Sequence, residues 1–272
     1  MIDAHFHIWR LARGDYGWLT PALGTIHRDV RLDDWRAVSR PCGVRGGVLV
    51  QAAPTEAETA FLLDQAEQAD DVLAVVGWVD LLASDAPARI EALARRPKLR
   101  GLRPMLQDIA DPDWILQPAL APALQAMVAC GLVFDALVKP VHLPRLLRLA
   151  ARHPDLRIVI DHGAKPAIPG DAAGWAAWTE GMQALARETG AFCKISGLWT
   201  EAKPGAPVEV VQRHAGWLLA CFGAGRCVWG SDWPVLELAG GYQDWLAAAR
   251  DGVELEDRGA VFEATARMAY GL

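Results

Sequence analysis

The sequence predicts an α/β protein, a (β/α)8 TIM barrel occupying residues 1–272 as a single domain. Three observations predict it. Short apolar, β-rich runs recur eight times, at 2–7, 47–52, 73–79, 99–104, 132–138, 157–162, 192–197 and 227–232. Helix-patterned segments separate them, and eight strand–helix units in a chain of this length match the arithmetic of the barrel. No GxGxxG or GxxxxGK[ST] turn follows any run, which disfavours the open, nucleotide-binding alternative.

The elements justify themselves in order. The first run, Ile2-Asp3-Ala4-His5-Phe6-His7, reads as a strand ending in two histidines one residue apart. Alternation along a strand points both imidazoles the same way, with Asp3 deeper on the same parity. Residues 9–44 are too long for a loop and one helix. Their aromatic, Gly-containing start, Arg13 to Leu19, suits either a lid over the barrel mouth or a cap on the first helix. The runs Val48-Leu49-Val50 and Ile158-Val159-Ile160 are apolar throughout, as strands buried on both faces must be. Segments 56–69, 144–151, 174–189 and 206–222 space apolar residues helically. Turn signals close them, such as His153-Pro154-Asp155 and Gly223-Ala224-Gly225.

Composition narrows the function classes. Half the residues are hydrophobic (52%), enough for a large core. A net charge of −6 offers no basic face for nucleic acid or a membrane surface. The five cysteines form no CxxC pair and are odd in number, which fits a reducing compartment. With no signal-like leader and no long apolar span, a soluble cytoplasmic protein is the expectation. The oligomeric state is not legible.

In such a barrel the strand C-terminal ends converge on one mouth. Reading only those ends collects His5 and His7, Arg103, Lys139 and His142, Asp161 and His162, Lys194 and Ser196, and Asp232. The set His5, His7, His162 and Asp232 suits one divalent ion such as Zn²⁺ with a position left for water. Without metal, Asp232 could still act as general base while the histidines polarise a carbonyl. Both alternatives stay open at the level of sequence. Arg103 suits a substrate oxyanion. Lys139 and His142 are substrate-binding candidates, though Lys139-Pro140-Val141-His142 also reads as a helix start. Lys165 is a further candidate, against a capping or ion-pair role. Trp9, Trp18, Trp199 and Trp233 lie near the mouth, and Trp18 and Trp199 are the expected pocket walls.

The matching pieces then form a pattern. Ile2–His7, Gly101-Leu102-Arg103-Pro104, Val159 to Pro166, Lys194 to Leu198 and Trp229-Gly230-Ser231-Asp232-Trp233-Pro234 occur in order along the chain. In these the sequence resembles the amidohydrolase superfamily, in its amidohydrolase-2 group of metal-dependent barrel hydrolases. The Arg13–Leu19 phrase and His162-Gly163-Ala164-Lys165-Pro166 resemble the sugar-lactonase branch most. The resemblance implies opening of an aldonolactone to its acid. Asp232 would activate water, and His5, His7 and His162 would hold a metal or the carbonyl. Strand 4 lacks the lysine of binuclear members, Lys98 preceding it, and strand 5 does not end in histidine. One metal ion or none is therefore implied. The rival readings are a lactonase for a pyrone or muconolactone, a metal-dependent decarboxylase of the same superfamily, and a catalytically inert scaffold.

Overall fold

The computed structural model describes residues 1–272. Eight parallel strands lie in sequence order in one sheet. They are β1 Ile2–Phe6, β2 Gly46–Val50, β3 Val72–Gly77, β4 Leu99–Leu102, β5 Val133–Ala136, β6 Ile158–Ile160, β7 Phe192–Ile195 and β8 Cys227–Trp229. The helices are α1 Leu32–Ser39, α2 Glu56–Glu67, α3 Ala86–Ala94, α4 Ala121–Ala129, α5 Leu143–Arg152, α6 Ala172–Glu188, α7 Val208–Phe222, α8 Tyr242–Asp251 and α9 Thr265–Tyr270. The sheet curls so that β1 meets β8, giving the (β/α)8 barrel that the eightfold repeat implies.

Burial divides into two cores. A small interior cluster includes Ala4, Val48, Val76, Val159 and Val228, floored by Ala266 and Tyr270 of α9. A larger one fills the layer between strands and helices. Helix starts follow local chemistry. Thr55 caps α2 by accepting from Glu58 N at 3.0 Å, and Asp171 caps α6 by accepting from Gly174 N at 2.7 Å.

The seam between β1 and β8 is closed mainly from the loop after β8. Asp232 N donates to His5 O and His7 N donates to Trp233 O, both at 2.8 Å. Asp3 adds a side-chain brace. It accepts from Ser231 N at 2.8 Å, Ser231 Oγ at 2.7 Å, Tyr242 OH at 2.9 Å and Trp35 Nε1 at 3.1 Å. A carboxylate this deeply buried is tolerable because donors surround it.

Two expectations need correction. The strands are shorter than the apolar runs: β6 stops at Ile160 and β8 at Trp229, so His162 and Asp232 lie beyond them. Both adopt left-handed backbone, φ 52° and 58°, which a strand cannot contain. Asp3 also does not share a face with His5. The pairing of β1 with β2 shifts register between Asp3 and Phe6. A slip of one residue reverses faces. Asp3 therefore meets Trp35 and Tyr242 in the helical layer, while His5 and His7 both enter the mouth.

Segment 9–44 divides in two. Its first half carries Trp18 and Leu23 to the pocket. Its second half forms α1, where Trp35 stacks on Phe6 at 4.0 Å. Trp18 is anchored by donating from Nε1 to Ala52 O at 2.7 Å. Glu58 holds the backbone beneath it, accepting from Ala52 N at 3.0 Å and Ala53 N at 2.7 Å.

Candidate active site

The mouth holds a pocket of about 340 Å³ with His7, Arg103, His162 and Asp232 among its lining residues. Asp232 Oδ1 is the hub. It lies 3.4 Å from His7 Nε2, 3.6 Å from His5 Nε2 and 3.9 Å from His162 Nε2. The expected quartet is thus brought together, from β1 and the residue just past its end and from the turns after β6 and β8. The turn after β7 also takes part. Gly197 sits at φ 61°, and a Cβ there would come within 2.4 Å of His162 Nδ1, so only glycine lets that imidazole sit where it does.

Each side chain is fixed from behind. His7 Nδ1–H donates to Val50 O at 2.7 Å, which turns Nε2 toward Asp232. His162 Nδ1 and Ser196 Oγ lie 2.9 Å apart. His5 Nδ1 is 3.2 Å from Lys194 Nζ, and its Nε2 is 3.4 Å from Arg103 Nη1. Arg103 Nη1 donates to Asp161 Oδ2 at 3.2 Å, and Nη2 donates to Gln51 O. The Arg103 Nε–H, also buried, has no partner. Below this layer Lys194 Nζ pairs with Asp135 Oδ2 at 2.6 Å and Asp161 Oδ1 at 2.8 Å. Tyr270 OH donates to Asp135 at 3.0 Å from the barrel floor. Two cations thus face two carboxylates, the balance a buried charge cluster requires.

Electrostatics follow from this packing. Burial, reinforced by Lys194, holds the His5 pKa well below the ordinary histidine value. Burial pushes His162 down to about 4. Asp232 stays below the usual carboxylate range: burial opposes its charge, but His162 and the contact with His7 outweigh it. At neutral pH the site therefore holds an aspartate anion beside the uncharged imidazoles of His5 and His162. Asp161 is likewise held well below its ordinary value, burial being outweighed by Lys194 and His5. Burial pushes Asp135 up to about 6.

The donor set fits a divalent ion. His5, His7 and Asp232 each offer a ligand atom, all within 4.8 Å of one another. The Val50 contact holds the His7 ring by Nδ1 and leaves Nε2 as its ligand atom. His5, Asp161 and His162 form a second, overlapping group.

Other expectations fare differently. Trp18 lines the pocket and so does Lys165, which pairs with Glu201. Lys139 and His142 do not line it. His142 Nδ1 accepts from Lys139 N at 3.0 Å, the arrangement of a helix start before α5. Lys139 Nζ turns to Gln107 O at 2.9 Å. Trp199 is also elsewhere, its ring against Gly240 and 6.3 Å from Trp245. Trp9 and Trp233 are buried and donate to Arg28 O and Glu237 Oε1. Sequence reading passed over Gln51, Glu58, Gln107, Asp135 and Tyr270. Asp135 carried a signal, a lone charge inside an apolar strand that had to meet an opposite charge.

Imidazoles and a carboxylate drawn from both sides of one barrel seam define a hydrolase-type barrel of the amidohydrolase kind. The family model described as Amidohydrolase matches residues 2–272, and the chain belongs to this family. It is 50% identical over 249 residues to an L-fucono-1,5-lactonase of Burkholderia ambifaria, covering 90% of this chain and 85% of that one. An L-fucono-1,5-lactonase of Burkholderia multivorans is 34% identical, covering 100% of this chain and 96% of that one. A crystal structure of a Burkholderia multivorans amidohydrolase with bound zinc superposes at a TM-score of 0.93, with 33% identity, covering 100% of this chain and 99% of that one.

Proposed function

We propose that the protein is a lactone hydrolase that opens a sugar lactone, L-fucono-1,5-lactone or a close analogue, to its acid. The observation that carries the reading is Asp232, an ionised carboxylate beside the uncharged imidazoles of His5 and His162 in a pocket that Arg103 also lines. The identity of 50% to an L-fucono-1,5-lactonase supports the substrate class.

The lactone lies in the pocket with its carbonyl oxygen toward Arg103 and the imidazoles. Asp232 takes a proton from water as the water oxygen bonds to the carbonyl carbon. The Arg103 guanidinium, which lines the pocket, stabilises the negative oxygen of the tetrahedral adduct. The adduct collapses, the ring C–O bond breaks, and Asp232 returns the proton to the departing ring oxygen. The product is an open hydroxy acid, whose carboxyl proton passes to solvent. The ring oxygen leaves as an alkoxide that needs only this one proton, so one base and one donor cluster suffice. When bound by His5, His7 and Asp232, a single Zn²⁺ would supply Lewis-acid polarisation of the carbonyl and lower the pKa of water.

The rival substrates are less well served. A pyrone dicarboxylate or an aromatic acid needs several cations at the mouth. The pocket offers Arg103, engaged with Asp161, and Lys165, engaged with Glu201. Part of its wall is apolar, with Met105, Leu137, Val235 and Leu238. That wall suits the methyl group of a 6-deoxy sugar.

The test is a panel of sugar and simple lactones, assayed by a pH indicator with and without chelator. Acid release from sugar 1,5-lactones is expected. Release of CO₂ from aromatic acids with no lactone opening would overturn the reading.

A further inference from the structure

Gln107 sits on the short turn Leu106–Asp108 that follows β4, on the same loop as Arg103, and lines the pocket. Its backbone is braced, the carbonyl accepting from Lys139 Nζ at 2.9 Å. Its side chain is not. Gln107 Oε1 is buried without a donor, and Nε2 reaches only Asp108 Oδ2 at a long 3.4 Å. Asp108 lines the pocket as well. Burying an amide acceptor without a partner is unfavourable, and such groups ordinarily find a hydrogen bond. Away from the reactive floor the wall is otherwise largely apolar, formed by Leu23, Met105, Leu137, Val235 and Leu238. Besides Lys165, which pairs with Glu201, the pocket therefore has a polar flank of an amide beside a carboxylate, standing apart from the Asp232 cluster.

We infer that Gln107 and Asp108 read the ring hydroxyls of the substrate and are the residues that select polyhydroxylated lactones over bare ones. An alcohol both donates and accepts, and a pair of neighbouring hydroxyls matches the pair of groups on this flank. Because Oε1 has no open surface as the chain stands, the amide turns as substrate enters; one hydroxyl then donates to Gln107 Oε1, and its neighbour donates to the Asp108 carboxylate while accepting from Gln107 Nε2. Lys139 is a positioning residue: by holding the Gln107 carbonyl it ties the loop after β4 to the loop after β5 and fixes where the amide stands. The inference rests on the lactone reading above.

The test compares L-fucono-1,5-lactone with δ-valerolactone, the same ring without hydroxyls. For Gln107→Leu, kcat/KM on the sugar lactone should fall roughly tenfold or more, chiefly through KM, with δ-valerolactone changed less than about twofold. Gln107→Glu keeps an acceptor and should retain most of the preference. Lys139→Met should erode the preference in the same direction by a smaller factor. Equal losses on both rings, or no loss on either, would overturn the inference, as would a Lys139→Met loss confined to kcat on both. Thermal melting verifies that each variant is folded, and the turn is partly exposed, so the variants should fold. If the wild type opens neither ring, the lactone reading fails and this one with it. If it opens both equally well, the lactone reading stands and the hydroxyl reading alone fails.

Discussion

Replacing Asp232 by asparagine separates chemistry from structure at one atom. Asparagine has the same shape as aspartate and tolerates the left-handed backbone, φ 58°, that this position demands. The backbone bond from residue 232 N to His5 O at 2.8 Å is untouched, so the seam stays closed. What disappears is the anion 3.4 Å from His7 Nε2 and 3.6 Å from His5 Nε2. His5 is uncharged at neutral pH, so no cation is stranded beside it, and stability should change by about 1 kcal/mol or less. The reaction loses its proton acceptor. Losing a positioned general base costs roughly 100- to 10,000-fold in rate, or about 3–5 kcal/mol of transition-state stabilisation. The assay is initial-rate acid release from L-fucono-1,5-lactone, with thermal melting on the same sample. Asp232→Ala is the companion, adding about 1 kcal/mol of backbone strain to the same loss of base. A folded Asp232→Asn enzyme keeping more than about a tenth of wild-type kcat/KM would refute the assignment of Asp232 as base.

Three further outcomes are expected. Arg103→Met removes one of two cations facing Asp161 and should lower stability in urea by about 3 kcal/mol, with a large fall in kcat/KM; an unchanged midpoint would contradict this charge balance. Burial raises Glu58 from 4.5 to about 7, so the folded state holds its proton more tightly than the unfolded one. Its contribution is full below pH 4.5 and is lost as pH rises through about 7, amounting to about 3 kcal/mol. Glu58→Gln should therefore gain on the wild type steadily from pH 4 to 8, and a pH-independent difference in unfolding free energy would rule this out. Saturating Zn²⁺ should raise the melting temperature by roughly 5 °C, reversed by chelator and absent in His7→Ala; a shift that survives that substitution places the ion elsewhere.

The barrel was legible because its signals are local: apolar runs buried on both faces, and turn residues between them. The quartet was legible because strand ends converge in this architecture, so four residues distant in sequence could be placed at one mouth. Lys139, His142 and Trp199 sit near strand exits too, yet the turn at Pro140 commits His142 to the start of α5, and Trp199 packs toward Trp245. Nearness to a strand end sets a neighbourhood, whereas the turn after it sets direction. The parity argument failed at Asp3 for a related reason, since a register slip is a property of two strands together. Gln107 and Glu58 were invisible because their roles rest on which backbone groups a neighbouring loop presents. Tyr270 was out of reach for want of any local hint that the last helix would close the floor.

The seam between β1 and β8 has a consequence for how the enzyme comes into being. His5 and His7 stand on one side of it and Asp232 on the other, and the bonds that zip it shut use the amides of His7 and Asp232 themselves. Ring closure and the birth of the catalytic centre are thus a single event. Recovery of activity during refolding should then time the closing of this joint, and those two amides should exchange with deuterium only when the ring opens. A substrate that bridges the seam acts as a clasp, slowing that opening in proportion to how tightly it is held.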